Sequence, residues 1–162
     1  MMFKKILPII ILMGFVSGTA FAENSDEPKI LTVLNSYFDA WKTRDINEIG
    51  KMYADEVSVY DLPSDYTTKG KDNVLKYEQE VWLASAPDMV WVRTSPPLVS
   101  GNSVTYEWIY AGTYSGMWGK QNIIAKPFSV KGISTTTIND AGKIIWQKDF
   151  YDLNSFESQL GI

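Results

Sequence analysis

The chain has 162 residues, 45% hydrophobic and 14% aromatic, with six tryptophans and neither cysteine nor histidine. Without those two residue types there is no disulfide framework, no thiol or imidazole zinc site and no Ser-His-Asp triad. Fifteen basic against nineteen acidic residues give a net charge of −4, the wrong sign for a nucleic-acid partner, which needs a basic stripe.

Lys4 and Lys5 precede an apolar run from Ile6 to Val16, and small residues then lead to Ala20-Phe21-Ala22, an A-x-A cleavage pattern. The run is eleven residues long, short of the roughly 18 to 20 that span a bilayer, so residues 1–22 are expected to be a secretory signal peptide. A periplasmic or secreted product follows, with no membrane anchor after cleavage. Loss of Lys4 and Lys5 leaves 13 basic and 19 acidic residues in a mature chain of 140, a single domain's length with net charge −6.

Residues 23–29 are polar, contain Glu27-Pro28 and are expected to form a flexible leader to a domain over 30–162. Ile30, Val33, Leu34, Tyr37, Phe38 and Trp41 recur at three- and four-residue spacing and predict a helix with one broad apolar face. Asp45 is placed to cap a second short helix carrying Ile46, Ile49 and Met52. Alternation from Glu56 to Leu62 predicts a strand stopped by Pro63, and Ser64 to Gly70 reads as loop. Lys71 to Ala84 predicts a third helix, ended by Ala86-Pro87.

Four extended runs complete the chain: Met89 to Val99 (broken at Pro96-Pro97), Ser103 to Ser115, Ile124 to Asn139 and Lys143 to Asp152. Ser100-Gly101-Asn102 and Asn139-Asp140-Ala141-Gly142 carry hairpin chemistry, and Gly116 to Ile123 reads as a longer loop. Gly112, Gly116 and Gly132 sit where long strands would bend or bulge. A short helix closes the chain. The expected fold class is α+β: three N-terminal helices packed on a strongly curved antiparallel sheet, with a cone-shaped pocket where the two layers part.

From Ile30 to Ile162 the chain resembles the nuclear transport factor 2-like superfamily, and within it the SnoaL-like polyketide cyclase and ester-cyclase branch. The resemblance is carried by the order and spacing of Tyr37-Phe38-Asp39-Ala40-Trp41, Met52-Tyr53-Ala54-Asp55-Glu56-Val57, Gly70-Lys71-Asp72, Ala86-Pro87-Asp88, Gly112-Thr113-Tyr114-Ser115-Gly116, Gly142-Lys143-Ile144, Tyr151-Asp152 and Gln159-Leu160-Gly161. It implies a deep apolar pocket, often in a homodimer. Enzymatic members use acid or acid-histidine pairs for proton transfer beside a carbonyl, and many relatives only bind ligands. In the cyclases the pair resembles an Asp on the final strand and a His within a G-T-H-x-G pattern. Here Tyr114 occupies the histidine position.

Candidate catalytic residues are therefore Asp149, Asp152 and Tyr114. A carboxyl among aromatic rings has its charged form disfavoured and becomes a useful proton carrier near neutrality, and a buried phenol can donate to a developing enolate oxygen. Side chains alternate on a strand, which puts Asp149 with Gln147 and Tyr151 on one face and Asp152 with Phe150, Lys148 and Trp146 on the other. Asp152 is equally placed to cap the closing helix. On the Ser103–Ser115 run, Tyr106, Trp108, Tyr110 and Tyr114 make an aromatic stripe that faces either the hollow or the outside. Trp41, Tyr60, Trp82, Trp108, Tyr110, Trp118 and Trp146 are candidate ligand-binding residues, Trp118 as part of a loop lid. No metal or cofactor site is expected, since there is no EF-hand spacing and no phosphate-cradling glycine loop. The leading expectation is binding of a small apolar or aromatic molecule with little or no chemistry. The alternatives are a histidine-free cyclase or isomerase using an Asp base and Tyr114, and a dimeric protein-interaction module.

Overall fold

The computed structural model describes residues 28–162, so the expected signal peptide and most of the expected leader lie outside the described residues. The first helix, α1 (Lys29–Thr43), buries Ile30, Leu34, Tyr37, Phe38 and Trp41 along one stripe and ends at Arg44 in the left-handed conformation. Asp45 accepts a hydrogen bond from the Asn47 N–H and so caps α2 (Ile46–Gly50).

Next come β1 (Tyr53–Asp61), β2 (Tyr66–Lys69) and α3 (Lys71–Tyr77), which continues without a break as a π-helical segment over Glu78–Leu83. The remaining strands are β3 (Val90–Arg93), β4 (Leu98–Ser100), β5 (Ser103–Trp118), β6 (Gln121–Ile138) and β7 (Ile144–Tyr151), followed by α4 (Leu153–Leu160).

All seven strands form one sheet, ordered β2-β1-β7-β6-β5-β3, with β4 also paired to β5. Three expectations need correction. The sheet is mixed and not wholly antiparallel, because β1 lies parallel to β7 with Val59 opposite Gln147 and Asp61 opposite Asp149. Alternation looks the same for either strand direction, and β7 is about 90 residues away in sequence. The expected loop at Ser64 to Gly70 contains β2, which pairs Asp61 with Tyr66 in a hairpin. The expected loop at Gly116 to Ile123 is a tight hairpin in which Trp118 faces Gln121, so β5 and β6 run out to its tip.

The position of the Trp108 indole depends on Gly132. It lies opposite Trp108 on one side and Tyr151 on the other. A Cβ there would sit 2.2 Å from Trp108 Cζ2 and 2.7 Å from the Phe150 carbonyl oxygen. Glycine lets the indole lie across the neighbouring backbone, a close approach that no other residue permits. The α1, α3 and π-helical side chains cover the concave face, and Tyr106, Trp108, Tyr110 and Tyr114 of β5 all turn inward and are buried.

Candidate functional site

Between the sheet and the helices a pocket of about 110 Å³ remains open. Its walls are aromatic: Tyr37 and Trp41 from α1, Tyr77 and Trp82 from α3 and its π extension, Trp91 from β3, Trp108 and Tyr110 from β5, and Tyr151 from β7. The half-exposed Val59, Asp61, Thr68, Tyr77 and Tyr151 mark the solvent side, whereas Tyr37, Trp41, Val74, Glu78 and Met89 are buried. An apolar cavity on the order of 150 Å³ accepts benzene, so this one matches a single ring or a molecule of similar bulk.

Three carboxyls enter that wall, and no basic side chain accompanies them among the described residues. Asp149 stands on β7 between Gln147 and Tyr151, the three residues that alternation groups on one face, and that face lines the pocket. Its Oδ1 accepts from the Ser134 hydroxyl at 2.5 Å and from Gln147 Nε2 at 2.9 Å. Both donors are themselves oriented. Trp108 Nε1 donates to Ser134 Oγ at 2.7 Å, and Gln147 Oε1 accepts from Thr136 Oγ1 at 2.6 Å, which in turn meets the Tyr106 hydroxyl at 3.0 Å. Burial pushes the Asp149 carboxyl up to about 6; the Ser134 and Gln147 hydrogen bonds pull the other way, and the negative charge of Asp61 adds to the rise.

Glu78 is the most deeply enclosed acid, 6% exposed. Its Oε1 accepts from the Tyr53 hydroxyl at 2.5 Å, and Tyr53 in turn is 2.6 Å from the Tyr37 hydroxyl. Because Tyr53 commits its proton to Glu78, Tyr37 is the donor of the second bond. Burial raises the Glu78 carboxyl to about 8, against the Tyr53 hydrogen bond and with help from the Asp149 charge. Asp61, half-buried at the end of β1, is also raised by burial, with Ser64 and Tyr151 donating to Oδ2.

Among the described residues, the buried side-chain polar atoms without a hydrogen-bond partner are Trp41 Nε1, Asp61 Oδ1 and Glu78 Oε2. All three belong to residues lining this pocket. Buried polar atoms are rarely left unpaired, so their convergence on one cavity marks where a polar group of a ligand belongs.

The SnoaL-like polyketide cyclase family matches residues 31–160. The chain belongs to that family. No curated protein sequence matches it. Among solved structures it is similar to a SnoaL-like protein of Shewanella denitrificans OS-217 at a TM-score of 0.73 and 16% identity, covering 83% of this chain and 98% of that one. A protein from Catenulispora acidiphila DSM 44928 with a ketosteroid isomerase-like fold, in complex with trimethylamine, aligns at 0.67 and 21%, over 80% and 92%. TerC, co-crystallised with polyporic acid, aligns at 0.68 and 14%, over 83% and 99%. At these identities the likeness establishes the fold.

In this SnoaL-like domain Trp41, Trp82, Trp108, Tyr110 and Asp149 gather around this pocket. Other candidates stand elsewhere. Asp152 is exposed and its side chain accepts from the Ser155 N–H as the N-cap of α4, one residue past the strand and turned off the pocket face. Tyr114 is buried beside Phe156 and Trp118 beyond the pocket wall, and its hydroxyl donates to the Met117 carbonyl at 3.0 Å, which leaves no proton for an enolate. Tyr60 is half-exposed and donates to Asp65. Trp146 lies on the opposite face of β7 under Lys148, 5.5 Å from the ring centroid. Trp118 is no loop lid: it sits in β5, bonds Glu157 and backs Trp82 and Phe156 from behind.

Sequence reasoning missed Glu78, Asp61 and the tyrosine pair. A signal for Glu78 exists: it follows Val74 by four residues and so falls on the buried stripe of its helix, where an acid is anomalous. The Tyr37–Tyr53–Glu78 chain joins α1, β1 and the π-helical extension of α3, and its assembly is purely tertiary.

Proposed function

We propose that this SnoaL-like domain binds a compact single-ring molecule bearing a carbonyl group, and that Asp149 moves a proton on the carbon beside that carbonyl. The supporting observation is the placement of Asp149 in the aromatic wall, with one carboxylate oxygen pinned by Ser134 and Gln147. A base with a value near 6 is ionised at neutral pH yet still basic enough to accept a carbon-bound proton in a water-poor site. The aromatic walls hold a planar ring by stacking and edge contacts. Polyporic acid, with which TerC was co-crystallised, also bears carbonyl groups and aromatic rings, although it is larger than a single ring. The Ile6–Val16 run and the Ala20-Phe21-Ala22 pattern support export of the chain, which amino-terminal sequencing of the mature protein would establish.

Conversion of cyclohex-3-en-1-one into its conjugated isomer, followed by ultraviolet absorbance, tests the chemistry. Asp149→Asn is expected to lower the rate on the order of 10²- to 10⁴-fold while tryptophan quenching by the same ketone changes less than about threefold. An unchanged rate in Asp149→Asn would remove the base assignment. Ketone binding by a wild-type protein that gives no isomerisation would leave a binding pocket without chemistry.

A further inference from the structure

The Asp149 step leaves a buried acid unused. Glu78 sits in the pocket wall on the π-helical extension of α3, a local widening of the helix often found at functional sites. Its two oxygens are unequal. Oε1 receives the Tyr53 proton, and Oε2 is buried with no partner among the described residues. With the Tyr37–Tyr53 chain directed at Oε1, a proton on the carboxyl belongs on Oε2, where it is a donor in need of an acceptor. An unpaired donor in a low-dielectric pocket is costly, and the pocket is the available place for the missing acceptor.

We propose that Glu78, held in its neutral carboxylic acid form, is the hydrogen-bond donor to the ligand's carbonyl oxygen and to the enolate that forms from it. The role depends on Asp149 acting as the base. When Asp149 takes the proton, the C–H bond breaks, its electron pair becomes the new C=C bond, and the carbonyl π pair moves onto oxygen. That oxygen accepts the Oε2–H hydrogen bond, while Tyr53 and Tyr37 keep the carboxyl fixed. Asp149 then returns its proton to another carbon, so the cycle is proton-neutral and consumes no co-reactant. Negative charge appears on the ligand oxygen next to a donor and not next to an ionised acid, which is what the burial of Glu78 secures.

The groups that act on the charge state of Glu78 are the Tyr53 hydroxyl on β1, which donates to it, and the negative charge of Asp149 on β7; Asp61, Tyr77 and Tyr151 share its pocket wall, and Tyr37 reaches it through Tyr53. None is a cation that would hold it ionised. The rate should therefore rise as Asp149 ionises and fall again as Glu78 does, through about pH 8.

Two variants test the assignment on cyclohex-3-en-1-one, with tryptophan quenching as the binding readout. Glu78→Gln keeps an acceptor for Tyr53 and a donor for the ligand but cannot ionise. It is expected to stay within about tenfold of wild type at pH 6.5 and to lose the high-pH fall. Glu78→Leu removes the donor and is expected to lower the rate about 10²-fold or more with ketone affinity within about threefold. As a second measurement, 4-nitrophenolate, an enolate mimic, should bind Asp149→Asn at least tenfold more tightly than the Asp149→Asn, Glu78→Leu double variant, a readout that survives if the ketone is not turned over. A wild-type high-pH limb retained in Glu78→Gln, or equal phenolate affinity in the two backgrounds, would overturn the role of Glu78. If Asp149→Asn is inactive while both Glu78 variants match wild type, the base assignment stands and this one falls.

Discussion

At the scale of single residues, what separates Asp149 from Asp152 is the end of one strand: Asp149 lies within β7, and Asp152 lies one residue past it as the cap of α4. Both are acids near aromatic rings at the end of the chain, yet one lies inside an oriented hydrogen-bond set and the other caps a helix in water. Ser134 tunes the first of them: its hydroxyl donates to the ionised form and so holds the carboxyl below the value burial alone would set. Ser134→Ala should therefore move the acid limb of the pH–rate profile upward from about 6, since the carboxylate loses a stabilising donor. The same change strands Trp108 Nε1, so a loss of stability of about 1–3 kcal/mol should accompany it in denaturant unfolding. A profile that does not move would mean that Asp149 is not the group titrating in the rate.

At the scale of elements, β6 and α3 shape the pocket more than the residues that line it. Gly132 lets β6 pass beneath the Trp108 indole, and that ring then reaches Ser134 and stands 6.3 Å from Tyr151 across the wall. Gly132→Ala forces a methyl group to within 2.2 Å of the ring, where backbone neighbours on the other side leave no room to yield. Overpacking of this kind costs about 1–3 kcal/mol, and the indole must leave its place. The expected result is a lower midpoint in thermal unfolding together with a red-shifted, ligand-insensitive tryptophan emission. Retention of wild-type stability and quenching would show that the Trp108 indole does not need the space over Gly132. The widened turn of α3 acts in the complementary direction, by carrying Glu78 and Trp82 to the same wall.

At the scale of the whole molecule, burying acids without cations makes stability depend on pH. Glu78 at about 8 and Asp149 at about 6 both lie above their ordinary values of 4.5 and 3.8, so between those limits the folded chain binds more protons than the unfolded one. Stability falls with rising pH wherever the folded state is the more protonated. The contribution of Glu78 is complete below pH 4.5 and lost as pH climbs through about 8, on the order of a few kcal/mol. Urea unfolding should therefore give a higher midpoint at pH 5.5 than at pH 9, and Glu78→Gln should flatten that difference. A midpoint independent of pH would show that Glu78 has its ordinary value.

Much of this molecule is legible in the residues taken in order. The apolar stripe of α1, the Asp45 cap, the hairpin at Gly101-Asn102 and the grouping of Tyr106, Trp108 and Tyr110 on one face of β5 all depend on neighbours a few positions away, through helical and pleated repeats that local sequence displays, whereas the inward direction of that face is set by the fold. The face of β7 that carries Asp149, Gln147 and Tyr151 follows from the same alternation, and the family resemblance follows from motif order. Tertiary structure alone decided that β1 lies parallel beside β7, that Tyr114 spends its proton on Met117, and that Glu78 meets Tyr53 across 25 positions of chain. These depend on which distant segments share a dielectric interior. A side chain's ionisation and its free hydrogen-bonding capacity are properties of that interior, and no periodicity along the chain encodes them.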